Sequence, residues 1–171
     1  MYKYTLLIAM ILLISSCKSN QQITTKSDQE ISCPIDGTCS FEVLKNKELL
    51  ILEDEFKNTY HELIPADGKV VLKYEYKRNT NPEISDDNYS EIIFIEIDEN
   101  ITDLDLTDQF LGNAKVSYNR LCFCRGATGI YKVKKGHLKI SKDDKKYELA
   151  LDFMVEEVPQ VVTSIKESFE L

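Results

Sequence analysis

The chain has 171 residues, 43% of them hydrophobic and 29% charged, with 29 acidic against 21 basic side chains and a formal net charge of −8. That length accommodates one core of ordinary domain size. The acidic excess is spread along the chain, which argues against a nucleic-acid partner, since phosphate binding needs a clustered basic face.

The first five residues carry one positive charge, Lys3, and are followed by nine uninterrupted apolar residues from Leu6 to Ile14. A permanent membrane-spanning helix needs roughly 20 such residues, whereas a run of this length suits the apolar region of a secretory leader. Ile14-Ser15-Ser16-Cys17 then resembles the lipobox of bacterial lipoprotein precursors, in which an aliphatic and two small residues precede a cysteine. The resemblance covers the first 20 or so residues. It implies diacylglyceryl transfer to the Cys17 sulfur, cleavage before Cys17 and acylation of the new amino group. Residues 1–16 are thus expected to be a signal peptide, with the mature chain held to a membrane by lipid, on the periplasmic or cell-surface side and with the outer membrane favoured. Two or three acyl chains suffice for stable attachment, at about 0.8 kcal/mol per buried methylene. A composition rich in Lys, Ile, Asn and Glu is similar to that of lipoproteins of Bacteroidetes.

Residues 17–32 are polar, rich in Ser, Thr, Gln and Asn, and read as a flexible tether. The expected folded domain spans 33–171. Its signals are those of β structure, short β-branched and aromatic runs separated by turn residues. Val70, Leu72, Tyr74 and Tyr76 alternate with Lys73, Glu75 and Lys77, and Tyr147–Val155 alternates equally well, the pattern of half-buried strands. Further strands are expected at 41–44, 49–52, 92–97, 115–124, 130–134 and 137–141. The segment 53–64 suits one or two helical turns before Pro65, and 161–171 leans to strand because Val161, Val162 and Thr163 are β-branched. About eight strands with little helix predict an all-β fold, an antiparallel two-sheet sandwich.

Four cysteines remain beyond Cys17: Cys33, Cys39, Cys122 and Cys124. In an exported domain an even number reads as two disulfides, and four cysteines allow three pairings. An extended strand holds Cys122 and Cys124 about 6.5 to 7 Å apart, at the limit of a bridge, so two bridges between the segments are favoured over two local loops. The alternative is a soft-metal or redox site built from these thiols, against which stand the Cys-x5-Cys spacing and the absence of Cys-x-x-Cys.

Among other candidate residues, Asp103-Leu104-Asp105-Leu106-Thr107 spells the Asp-x-Asp-x-Thr of haloacid-dehalogenase-like phosphotransferases, but the surrounding chain lacks their alternating helices. With Asp98, Glu99 and Asp108 the same cluster offers oxygens to calcium, yet no glycine-turned ligand loop accompanies it. His61 and His137 lack flanking residues of a catalytic triad. Arg120 and Arg125 flank the Cys122-Phe123-Cys124 segment before Gly126 and Gly129, and are candidate anion-docking donors. The reading is a lipid-anchored binding or structural module of the cell envelope with no cofactor, its partners the membrane and an envelope protein or glycan. A periplasmic metal or redox protein and an envelope hydrolase are the alternatives.

Overall fold

Alternating apolar and polar residues build two antiparallel sheets whose apolar faces meet. The computed structural model describes residues 33–56 and 58–171, and these hold nine strands. They are β1 Gly37–Glu53, β2 Thr59–Arg78, β3 Tyr89–Asp98, β4 Asp103–Thr107, β5 Ser117–Cys122, β6 Gly129–Lys132, β7 Lys135–Asp143, β8 Lys146–Met154 and β9 Ser164–Glu170. One sheet has the order β1-β2-β3-β5-β6 and the other β4-β7-β8-β9. The all-β sandwich expected from the sequence is the fold observed. The expected leader, Cys17 and the expected tether lie outside the described residues.

The main core lies between the sheets. Val70, Leu72, Tyr74 and Tyr76 of β2 and Ile93, Ile95 and Ile97 of β3 face Leu138 and Ile140 of β7, Leu149, Leu151 and Phe153 of β8, and Ile165 and Phe169 of β9. Register follows the pattern: Leu72 lies opposite Ile95 and Tyr74 opposite Ile93, so each apolar pair points the same way. Each such side chain contributes about 1.5 to 3 kcal/mol of burial.

A second, smaller cluster forms on the outer face of the larger sheet. The two strands expected at 41–44 and 49–52 are one long strand, interrupted at Asn46, where φ is 54° and the register with β2 shifts between Lys45 and Lys47. Asn tolerates this left-handed conformation. Pro65 pairs with Lys47 beside that irregularity, where a missing N–H does least harm. Beyond it the β1–β2 ribbon packs Leu44, Leu49, Ile51 and Leu63 against Val71, Ile92 and Phe94. That second cover explains why β3 reads as a nearly continuous apolar run.

The helical turns expected over 53–64 do not form. Asp54 instead accepts the N–H groups of Phe56 (2.9 Å) and Asn58 (2.8 Å), closing a turn, and Thr59 onward pairs with β1. Asp103–Thr107, which carries the phosphotransferase-like spelling, is the edge strand β4, antiparallel to β7. It leads into a short 3-10 segment, Asp108–Ala114, that the sequence reading did not anticipate.

Candidate functional site

Strand register brings five strand ends of the larger sheet together. Gly37 pairs with Arg78, Lys77 with Ser90, Tyr89 with Cys122 and Arg120 with Gly129. The first described residues, the 79–88 loop and the 123–128 turn therefore sit at one end of the sandwich, and both disulfides are found there.

The pairing corrects the expectation of bridges between the segments: Cys33 is joined to Cys39 and Cys122 to Cys124. Two physical reasons account for it. Cys39 lies on β1 and Cys122 at the end of β5, with β2 and β3 between them, a gap of about 14 Å at ordinary strand spacing and too far for a bond. The chain also stops being extended at Cys122, so the Cα separation to Cys124 is 5.2 Å, inside the usual range. The 123–128 turn is held by the Ala127 N–H donating to the Cys124 carbonyl (3.2 Å) and by the Thr128 hydroxyl on the Cys122 carbonyl. Gly126 supplies the positive φ of 72° that this turn requires.

A cleft of about 540 Å³ opens at this end, lined among others by Lys77, Arg78, Asp86, Tyr89, Leu121 and Phe123. Its rim is apolar. Phe123 is 85% exposed, and Ile84 and Leu121 are also exposed, as is Ile35 at 100% on the neighbouring disulfide loop. The charges are mostly neutralised in place. Arg78 is paired with Asp87 (3.1 Å) and lies 4.9 Å over the Tyr89 ring, while Lys77 is paired with Glu75 (3.1 Å).

Beneath the cleft lies a buried polar network that the sequence reading missed. Glu91 is fully buried and accepts the N–H groups of Val161 (2.7 Å) and Val162 (2.8 Å) and the hydroxyl of Tyr89 (2.5 Å). A carboxylate on one sheet thus holds the loop leading into β9 of the other, with charge-assisted bonds. Burial, reinforced by this hydrogen bond to Glu91, raises the Tyr89 pKa. The Tyr118 hydroxyl is buried beside the same groups without a hydrogen bond of good geometry, and burial with the Glu91 charge pushes its pKa well up. Tyr76 donates to Asp36 (2.8 Å), and burial together with that carboxylate pushes its pKa up to about 12. The one sequence signal for this network was an acidic residue immediately before the apolar run Ile92–Ile95 of β3.

Arg120 belongs to the network rather than to a surface fork with Arg125. It is buried, its Nε donates to the Tyr89 hydroxyl (3.2 Å), and its guanidinium lies 5.2 Å over the Tyr89 ring, whereas Arg125 is exposed in the following turn. An anion docking on Arg120 has first to displace Tyr89.

The other candidates are dispersed. His61 packs its ring 4.6 Å from Phe94 on the outer face, and burial with the nearby Lys73 charge lowers its pKa. His137 and Asp105 are exposed partners at 2.7 Å across β7 and β4. Asp108 accepts the Gly136 N–H (3.0 Å) beside a second cleft of about 470 Å³, which has no histidine in its lining. Among the described residues no group of three or more His, Cys, Asp or Glu is placed to hold a metal ion, and no helix is long and apolar enough to cross a membrane.

The arrangement is an apolar-tipped end of the sandwich, with two short disulfide loops above a buried polar network. Among the described residues, neither of these two clefts brings a nucleophile, base and acid together. No family model, curated protein or solved structure matches the chain, and the functional reading therefore rests on the geometry of this end.

Proposed function

We propose that the chain is a lipid-anchored binding module of the bacterial envelope, attached through Cys17 and recognising its partner with the disulfide-pinned end of the sandwich. One observation carries the binding part: Ile35, Ile84 and Phe123 are exposed on three loops at the end where the cleft opens, and the Lys77 and Arg78 charges in its lining are already paired. Apolar tips on disulfide-pinned loops favour an apolar partner surface. The anchor rests on the leader and the Ile14-Ser15-Ser16-Cys17 motif.

The test uses the full chain expressed in its envelope with a photo-crosslinking residue in place of Phe123 or, at the far β1–β2 turn, of Phe56. Adducts from position 123 and none from position 56 support the reading. Equal adducts from both, or adducts from position 56 only, contradict it.

A second reading is thiol–disulfide exchange at Cys122–Cys124. The bond spans a single residue and lies half-buried in the lining of the cleft, so its entropic contribution to the fold is small, about 1.6 kcal/mol. In that reading an incoming thiolate attacks the Cys124 sulfur and Cys122 departs as thiolate, close to the Thr128 hydroxyl (3.6 Å). Failure of a dithiol to reduce this bond ahead of Cys33–Cys39 excludes it.

A further inference from the structure

We infer that the partner of the disulfide-pinned end is the lipid bilayer itself, so that the domain lies end-on against the membrane that anchors it. This rests on the proposed acylation of Cys17. The first described residue, Cys33, is bonded to Cys39 at the start of β1, and Asp36 accepts the Asn79 N–H (2.9 Å) from the 79–88 loop. The chain running back to Cys17 thus joins the domain at the same end as the apolar tips. From Cys17 to Cys33 is 16 residues, a reach of at most about 55 Å. A domain leashed that closely by this end presents it to the lipid more readily than the far turn.

The chemistry of the end agrees with an interfacial site. Three loops each contribute an exposed large apolar side chain, Ile35, Ile84 and Phe123, with Leu121 beside the last. Phe56 and Phe110, the exposed phenylalanines elsewhere among the described residues, stand on separate segments. Lys77 and Arg125 are exposed at the same end, but Asp36, Glu83 and Asp86 are exposed there too. The mixed charge means that insertion of apolar tips, not attraction to anionic headgroups, makes the contact. The anchor supplies the attachment, so a weak contact suffices to set the orientation.

The chain contains no tryptophan, which makes a single introduced indole a clean reporter. The acylated full chain is reconstituted, as F123W or as F56W, in phosphatidylcholine vesicles with brominated acyl chains. The inference expects F123W emission to be blue-shifted and quenched at least threefold more than F56W, with no dependence on anionic lipid and little on salt. Co-flotation with vesicles but equal quenching, or none, in the two variants overturns the bilayer contact alone. A chain that carries no acyl group and does not co-float overturns the anchor and this inference with it.

Discussion

Removing the Glu91 carboxylate should loosen the tie between the two sheets at the disulfide-pinned end. The carboxylate is fully buried and accepts two backbone N–H groups and the Tyr89 hydroxyl. Glu91→Ala leaves three donors without their acceptor, each costing about 1 to 3 kcal/mol when buried, and opens a small cavity besides. Partial relaxation and water entry recover some of this, so the expected loss is about 4 kcal/mol. Glu91→Gln keeps the shape and one acceptor oxygen but turns an amide N–H toward the remaining donors, for a loss of about 2 to 3 kcal/mol. Tyr89→Phe removes a single hydroxyl from the network and should cost about 1 kcal/mol. Urea denaturation read by tyrosine fluorescence and far-UV circular dichroism gives the three values. Amide exchange at Val161 and Val162 should also rise in Glu91→Gln without a matching rise in the Leu149–Leu151 segment of β8. A Glu91→Ala loss below about 1 kcal/mol would refute the argument, because no buried carboxylate with these partners is removed so cheaply.

Glu96 holds the Leu49 N–H (2.8 Å) and the Lys115 ammonium (2.9 Å), while Lys115 also meets Glu48 (2.9 Å) and the Leu49 carbonyl (3.0 Å). Burial works against the Lys115 charge, but the two carboxylates more than offset it and raise its pKa. Glu96→Ala should cost about 2 to 3 kcal/mol in a denaturant titration, less than a wholly buried pair because Lys115 reaches water. His61 has a pKa below its ordinary 6.5 in the folded chain. The folded state therefore binds the proton less readily than the unfolded chain. Stability attributable to His61 is complete above pH 6.5 and falls as pH drops toward the folded pKa. His61→Gln should flatten the pH dependence of the urea midpoint in that window and leave the slope above it unchanged. Gly136 has φ of 144°, and a Cβ there would meet the Asp152 carbonyl oxygen at 2.2 Å. Gly136→Ala should accordingly destabilise the smaller sheet by about 3 kcal/mol in the same titration. Reducing both disulfides should lower stability by only about 4 kcal/mol in total, since each closes a short loop. Retention of near-UV circular dichroism in reductant checks that the core survives.

The alternation that reveals Val70–Lys77 and Tyr147–Met154 arises because the main core lies on one side and polar side chains occupy most of the other. Legibility failed where a residue's fate depends on distant chain. Asp103–Thr107 is absent from the expected strands: Asp103, Asp105 and Thr107 face solvent at a sheet edge, and its partner β7 makes it a strand. The two strands read at 41–44 and 49–52 are one because Asn46 absorbs the irregularity in a positive φ, which no local apolar pattern records. The cysteine pairing depends on strand order: with β2 and β3 between β1 and β5, bonds between the segments are out of reach. Arg120 was visible as a residue beside the cysteines, but the parity that turns it inward onto Tyr89 is set by pairing with Glu91. The apolar tips were unremarkable in sequence, since single exposed isoleucines and phenylalanines are common and only the fold gathers them at one end.

Intact mass of the N-terminal peptide from membrane-extracted protein tests the central claim most directly, measured beside a Cys17→Ala control. The account predicts a mature chain that begins at Cys17 and carries diacylglycerol on its sulfur, with the modification lost in the control. A chain that begins elsewhere, or one whose Cys17 is unmodified while the protein remains in the membrane fraction, would contradict it.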